Sequence, residues 1–143
     1  MAYISVPRAT CLVVAPPDPA GRLFVSEVKL MLASSHVRVI SADEVRFGPA
    51  AQDRFVGAVD ESDVVIADVT RTNANVLLEM GIAMGRGVPL LPVVRAGTTA
   101  KIPSEIAEMH YLVFDPKKLS EFARYVRDYV LELASSSRGG RHA

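Results

Sequence analysis

Apolar positions along the chain follow two patterns: short unbroken runs, and longer stretches spaced by three and four. The runs are residues 11–15, 37–40, 64–67, 90–94 and 111–114. Each is four or five residues long and apolar nearly throughout, as expected of strands covered on both faces. Helical stretches lie between them. Asp18-Pro19 opens the first, with Asp18 suited to its cap and Pro19 to its first turn, and it runs to about Ala33 with Leu23, Val25, Val28, Leu30 and Leu32 as its apolar positions. Gly48-Pro49 breaks the chain before a second helix over 52–62, with Phe55, Val56 and Val59 inward. A third spans about 75–85, and Gly87 stops it. Residues 96–101 read as a polar loop and 102–108 as a short helical turn. A last helix starts at Asp115-Pro116 and carries Leu119, Phe122, Tyr125, Val126, Tyr129, Val130 and Leu133 at three-and-four spacing.

Five strands alternating with helices predict an α/β three-layer domain with a parallel sheet and right-handed crossovers. For five strands the flavodoxin-like order 2-1-3-4-5 is the expected one. Such sheets bind ligands beyond the carboxyl ends of the strands, where the order reverses. That point lies between the first and third strands, and it gathers residues 16–22 and 68–75, with Asp43 and Glu44 leaving the adjacent strand at the same edge. The domain is expected over 1–134, and 135–143, rich in serine, glycine and arginine, as a disordered tail.

Composition narrows the partners. The chain has 143 residues, enough for one well-filled core, and formal net charge zero from 16 basic and 16 acidic side chains. The charges are interspersed without a basic stripe, so a nucleic acid polymer is not the expected partner. No run approaches the roughly 18 apolar residues of a membrane span. Arg8 is not followed by an apolar signal region, and a cytoplasmic, non-membrane protein is expected. The single cysteine, Cys11, lies in the first strand and reads as a buried thiol. No Cys/His group has ligand spacing, so neither a metal nor a cofactor is expected.

One residue departs from its surroundings. Within Val76-Leu77-Leu78-Glu79-Met80-Gly81-Ile82-Ala83-Met84-Gly85, only Glu79 can ionise. Burying an unpaired charge costs several kcal/mol, roughly, so such a group is given a partner, a proton or a task. Near a helix N-terminus the carboxylate is favoured by about 0.3–1 kcal/mol and suits attack on an anomeric carbon; equally, it could be satisfied by amides or a facing polar group. Asp68 ends the third strand and either holds a sugar hydroxyl or base amine or shapes the following turn. Asn73 and Asn75 are helix caps, ligand contacts or both. The Gly21 amide and Arg22, after the first strand, offer a weak phosphate site without a Walker or GxGxxG pattern. Asp43 and Glu44 form either a solvated loop or a source of a catalytic acid. Gly81 and Gly85 would allow close approach by the sheet or a second subunit, and a homo-oligomer is expected.

These residues also form a familiar pattern. Val64-Val65-Ile66-Ala67-Asp68-Val69-Thr70, Asn73-Ala74-Asn75-Val76, Leu78-Glu79-Met80-Gly81-Ile82-Ala83 and Gly87-Val88-Pro89 resemble the nucleoside 2-deoxyribosyltransferase-like and bacterial TIR-like nucleotide-binding superfamily. The opening Leu12-Val13-Val14-Ala15-Pro16 is similar too, and the likeness covers about residues 10–133. It implies action on the N-glycosidic bond of a nucleoside, nucleotide or NAD-like molecule. Glu79 falls at the nucleophile, Asp68 near substrate, and Asn73 where some nucleotide hydrolases contact phosphate or sugar. Pro16 and the segment from Asp18 through Gly21 to Arg22 fall at the phosphate loop. The family's further Asp, which handles the base, has no clean match: Asp53 and Asp60 are candidates, and Asp43 or Asp53 would protonate the leaving base. Leu78 replaces an aromatic, and Pro16-Pro17 replaces Pro-Phe. The alternative implied is a non-catalytic nucleotide sensor or TIR-like interaction module.

Overall fold

The computed structural model describes residues 6–97 and 108–140, with side chains to Ser136. Strands β1 (Ala9–Val14), β2 (Val37–Ser41), β3 (Val64–Asp68), β4 (Leu90–Arg95) and β5 (Leu112–Phe114) form one parallel sheet in the expected order 2-1-3-4-5, with β3 at its centre and β1 between β2 and β3. Leu12 pairs with Ile40 on one side and Val65 on the other, so β1 is hydrogen-bonded along both edges. The predicted turn over 102–108 lies outside the described residues except for Glu108.

The alternation of side chains along β1 sets the two core layers. Cys11, Val13 and Ala15 face helices α1 (Pro19–Leu32) and α4 (Leu119–Gly140); Leu12 and Val14 face α2 (Ala51–Glu61) and α3 (Ala74–Gly85). In the first layer Phe114 packs edge-on to Phe24 and Phe122, with ring centroids 6.2 and 4.8 Å away. Such pairs add about 0.5–1.5 kcal/mol each beyond their burial. Phe122, Val126, Val130 and Ala134 form the inward stripe of α4.

Several local expectations need correction. On α1 the inward residues are Phe24, Val25, Val28 and Leu32, while Leu23 and Leu30 are exposed. The helix presents the stripe that packs on the sheet, and Phe24 outcompetes its aliphatic neighbours for it. On α2, Ala58 is buried with Phe55 and Val59, and Val56 is only partly covered. Helix α4 is described as far as Gly140, the last described residue. Serine tolerates a helix already under way. A Cβ at Gly81 or Gly85 would meet open space within 4 Å, so the sheet does not approach α3 there.

Candidate functional site

The segments leaving β1, β2 and β3 at their carboxyl ends enclose a pocket of about 420 Å³. That is the size of a small-molecule site. Pro17 comes from the loop after β1, Arg46 and Phe47 from the loop after β2, and Ala51, Gln52 and Phe55 from α2. Asn75, Leu78, Glu79 and Ile82 come from α3.

Glu79 is carried inward by the helix itself. Val76, Met80 and Ala83 are the other buried positions of α3, so Glu79 sits within the apolar stripe at three-and-four spacing. It is only 6% exposed. A charge there needs a partner, and the loop after β2 supplies one. Arg46 donates to Glu79 Oε1 from Nη2 at 2.5 Å and from Nε at 3.2 Å. The same guanidinium donates from Nη1 to Asp43 Oδ1 at 2.6 Å and from Nη2 to the Ala15 carbonyl at 3.0 Å. With its side chain 12% exposed, Arg46 is nearly as buried as the carboxylate it serves. It binds the ends of β1, the turn after β2 and α3 into one unit.

Two consequences follow for the carboxyl. Burial pushes its pKa above the ordinary 4.5, the Arg46 hydrogen bond and charge pull it back, and Asp43 pushes it up again. Both Arg46 bonds fall on Oε1, while Oε2 is buried with no hydrogen-bond partner among the described residues. Buried polar atoms almost always have a partner, so an orphan oxygen on a carboxylate that lines a pocket marks a place where a ligand or a proton belongs.

The remaining candidates divide. Asp43 joins the site through Arg46, in the short turn Ala42–Glu44. Asn75 lines the pocket. Asn73 caps α3, its Oδ1 accepting from the Val76 amide at 3.2 Å. Asp68, although buried, turns back on its own loop and accepts from the Thr70 amide at 3.0 Å; it is absent from the described pocket lining. Asp53 is exposed in the first turn of α2 and is likewise not in that lining, because the helix turns Gln52 and Phe55 toward the pocket instead.

The phosphate reading of the first loop also changes. Asp18 caps α1, and its Oδ1 takes the Gly21 amide at 2.8 Å. Its Oδ2 pairs with Arg71 at 2.6 Å. The Gly21 bond, with help from Arg71 and Arg22, holds the Asp18 carboxyl below its ordinary range despite some desolvation. The helix N-terminus therefore already holds an anion, its own. Gly21 is glycine for another reason: a Cβ would lie 1.8 Å from the Pro16 carbonyl oxygen. Pro16 is buried beneath this contact, and Arg22 is exposed.

Sequence reasoning missed Arg46, Phe47 and Gln52. Arg46 had one signal, its place three residues after Asp43, and the isolated charge at Glu79 implied that a cation had to exist somewhere.

No protein-family model and no curated protein matches the chain. Solved structures do. A 2-deoxyribosyltransferase from Bacillus psychrosaccharolyticus superposes with a TM-score of 0.61 at 17% identity, over 78% of this chain and 90% of that one. A CMP N-glycosidase from Clostridium botulinum gives 0.54 at 14% identity, over 82% and 97%. A Burkholderia pseudomallei protein described as related to pilus assembly gives 0.54 at 16% identity, over 94% and 95%. The chain thus has the nucleoside 2-deoxyribosyltransferase-like fold. The TIR-like half of the resemblance has no support among these structures.

Proposed function

We propose that the protein cleaves or transfers the N-glycosidic bond of a nucleoside, with Glu79 as the nucleophile. The observation that carries this reading is the orphan Oε2 of a buried, Arg46-oriented carboxylate on the wall of a small-molecule pocket. The Glu79 carboxylate would attack the anomeric carbon as the carbon–nitrogen bond breaks. The bonding pair leaves with the base, which takes up a proton. A glycosyl ester on Glu79 remains, for water or a second base to resolve. Arg46 keeps the attacking group charged and fixes its rotation through Oε1. The fold shared with the Bacillus transferase and the Clostridium N-glycosidase supports the same class of chemistry.

Charge favours an unphosphorylated substrate. Arg46 is the one cationic side chain in the described lining, and it is committed to Glu79 and Asp43. The nearby helix N-terminus is filled by Asp18. A 5′-phosphate would meet the Glu79 carboxylate with no uncommitted cation in the described lining to receive it.

Purine and pyrimidine ribo- and 2′-deoxyribonucleosides and their 5′-monophosphates, assayed for free base by liquid chromatography, test this reading. Base release is expected from a nucleoside, more slowly from its monophosphate, and at least about a hundredfold more slowly after Glu79→Gln. Full turnover by Glu79→Gln would overturn the nucleophile assignment. Tight binding without release would make the protein a nucleoside sensor.

A further inference from the structure

The loop between the turn at Ala42–Glu44 and α2 has an unusual construction. Phe47 is 66% exposed, yet it lines the pocket next in sequence to the arginine that holds Glu79. Gly48 has φ +92° and Ala50 φ +55°, so two of the next three residues lie in the left-handed region. Ala50 is held there against the preference of an L-residue, and α2 begins at that point with no side-chain cap. What holds the loop is Arg54, one turn into α2, whose guanidinium donates to the carbonyls of both Phe47 and Pro49. Strain maintained by a dedicated clamp beside a pocket is a sign of function.

The rest of the pocket indicates what Phe47 faces. Leu78, 64% exposed, and Ile82 give apolar surface on α3. Gln52 and Asn75 each bring an amide, which offers both a donor and an acceptor. An aromatic face, aliphatic surface and amides that can read an edge suit a flat heterocycle with polar edges and apolar faces.

We propose that Phe47 is the stacking wall for the base and that Arg54 is the residue that positions it. The identity of the ligand rests on the nucleoside reading above; the wall itself is tested by binding alone. Titration calorimetry uses adenine, cytosine, adenosine and thymidine as probes, with D-ribose as the control lacking a base. The wild-type protein binds at least one probe that carries a base. Phe47→Ala weakens that binding by about tenfold to a hundredfold, and Phe47→Tyr, which keeps the ring, retains it. Arg54→Met weakens it in the same direction, and adding Arg54→Met to Phe47→Ala has no further effect, since the clamp acts through the ring; a merely structural arginine would give an additive loss. Equal binding by Phe47→Ala and the wild type overturns the proposal, as does failure of the wild type to bind any base. Binding that depends on Phe47 without base release supports the wall and overturns the glycosidic reading alone.

Discussion

Replacing Arg46 by methionine keeps most of the side chain's bulk and removes every donor. Glu79 then loses both bonds to Oε1 and the charge that offsets its burial, and the Ala15 carbonyl loses its partner. Breaking a buried ion pair costs about 3–5 kcal/mol when the stranded charge must stay. Glu79 has an escape, because it can take a proton. For a carboxyl whose ordinary pKa is 4.5, holding a proton at pH 7 costs about 1.36 kcal/mol for each of about 2.5 pH units, or about 3.4 kcal/mol. That is a ceiling, and the raised pKa already present in the wild type takes part of it away. The lost hydrogen bond to Ala15 adds about 1 kcal/mol, and the partly exposed Asp43 pair about 0–1. The expected loss is therefore about 3–4 kcal/mol at pH 7. At pH 5 the protonation cost falls to about 0.7 kcal/mol, and the total to about 1–2.

The sign follows from proton counting. Between the unfolded pKa of 4.5 and the higher folded value, folded Glu79 holds a proton that the unfolded chain has released. Stability in that window falls as pH rises. Arg46 narrows the window by pulling the folded value down, so its removal steepens the decline. Urea unfolding followed by circular dichroism at pH 5 and pH 7 suits a chain with no tryptophan. The double variant Arg46→Met/Glu79→Gln should recover most of the loss at pH 7 and show no excess dependence on pH. A loss for Arg46→Met that is the same at both pH values would refute the idea that this arginine serves a buried, titrating carboxylate.

Two further outcomes test the frame around the site. Gly21→Ala places a Cβ 1.8 Å from the Pro16 backbone oxygen, which cannot swing aside; the expected loss is about 3 kcal/mol or more, with a thermal midpoint lower by roughly 10 °C, and an unchanged midpoint would contradict the contact. Burial, with a smaller push from Asp63, raises the Cys11 thiol to about 12; a thiol reagent at pH 8 should label it only as the protein unfolds, whereas full labelling of the native protein within the mixing time would place Cys11 at the surface.

The layered sheet was legible because its causes are local. Unbroken runs such as Cys11 to Val14 and Val64 to Ala67 are apolar on both faces, and only a central parallel strand accommodates that. Caps were legible for the same reason: Asp18 and Asn73 act within three residues of themselves. Gly21 shows the limit. Its place after the first strand suggested an amide open to phosphate, but what requires glycine there is the approach of the Pro16 carbonyl, and sequence alone could not separate that contact from a phosphate cradle. Nor could it show that Asp68 turns back to the Thr70 amide instead of toward the pocket, since a strand-end aspartate is suited to both.

The site was half legible. Glu79 stood out as the lone charge on an apolar helix, whereas Arg46 lies 33 residues earlier in a loop with no periodicity to mark it. Yet the two are one physical fact. An ionised carboxylate in that stripe would be too costly without a cation, and a guanidinium that meets Glu79, Asp43 and the end of β1 together can arise only where the sheet's topology brings those segments to one edge. The partner of an isolated buried charge should therefore be sought among the cations on loops that leave the neighbouring strands at the same end, whatever their distance in sequence. Applied to the three loops around this switch point, that rule leaves few candidates. Arg22 and Arg71 are drawn to Asp18 by its cap position, and Arg46 remains as the cation that gives Glu79 both its charge and its orientation.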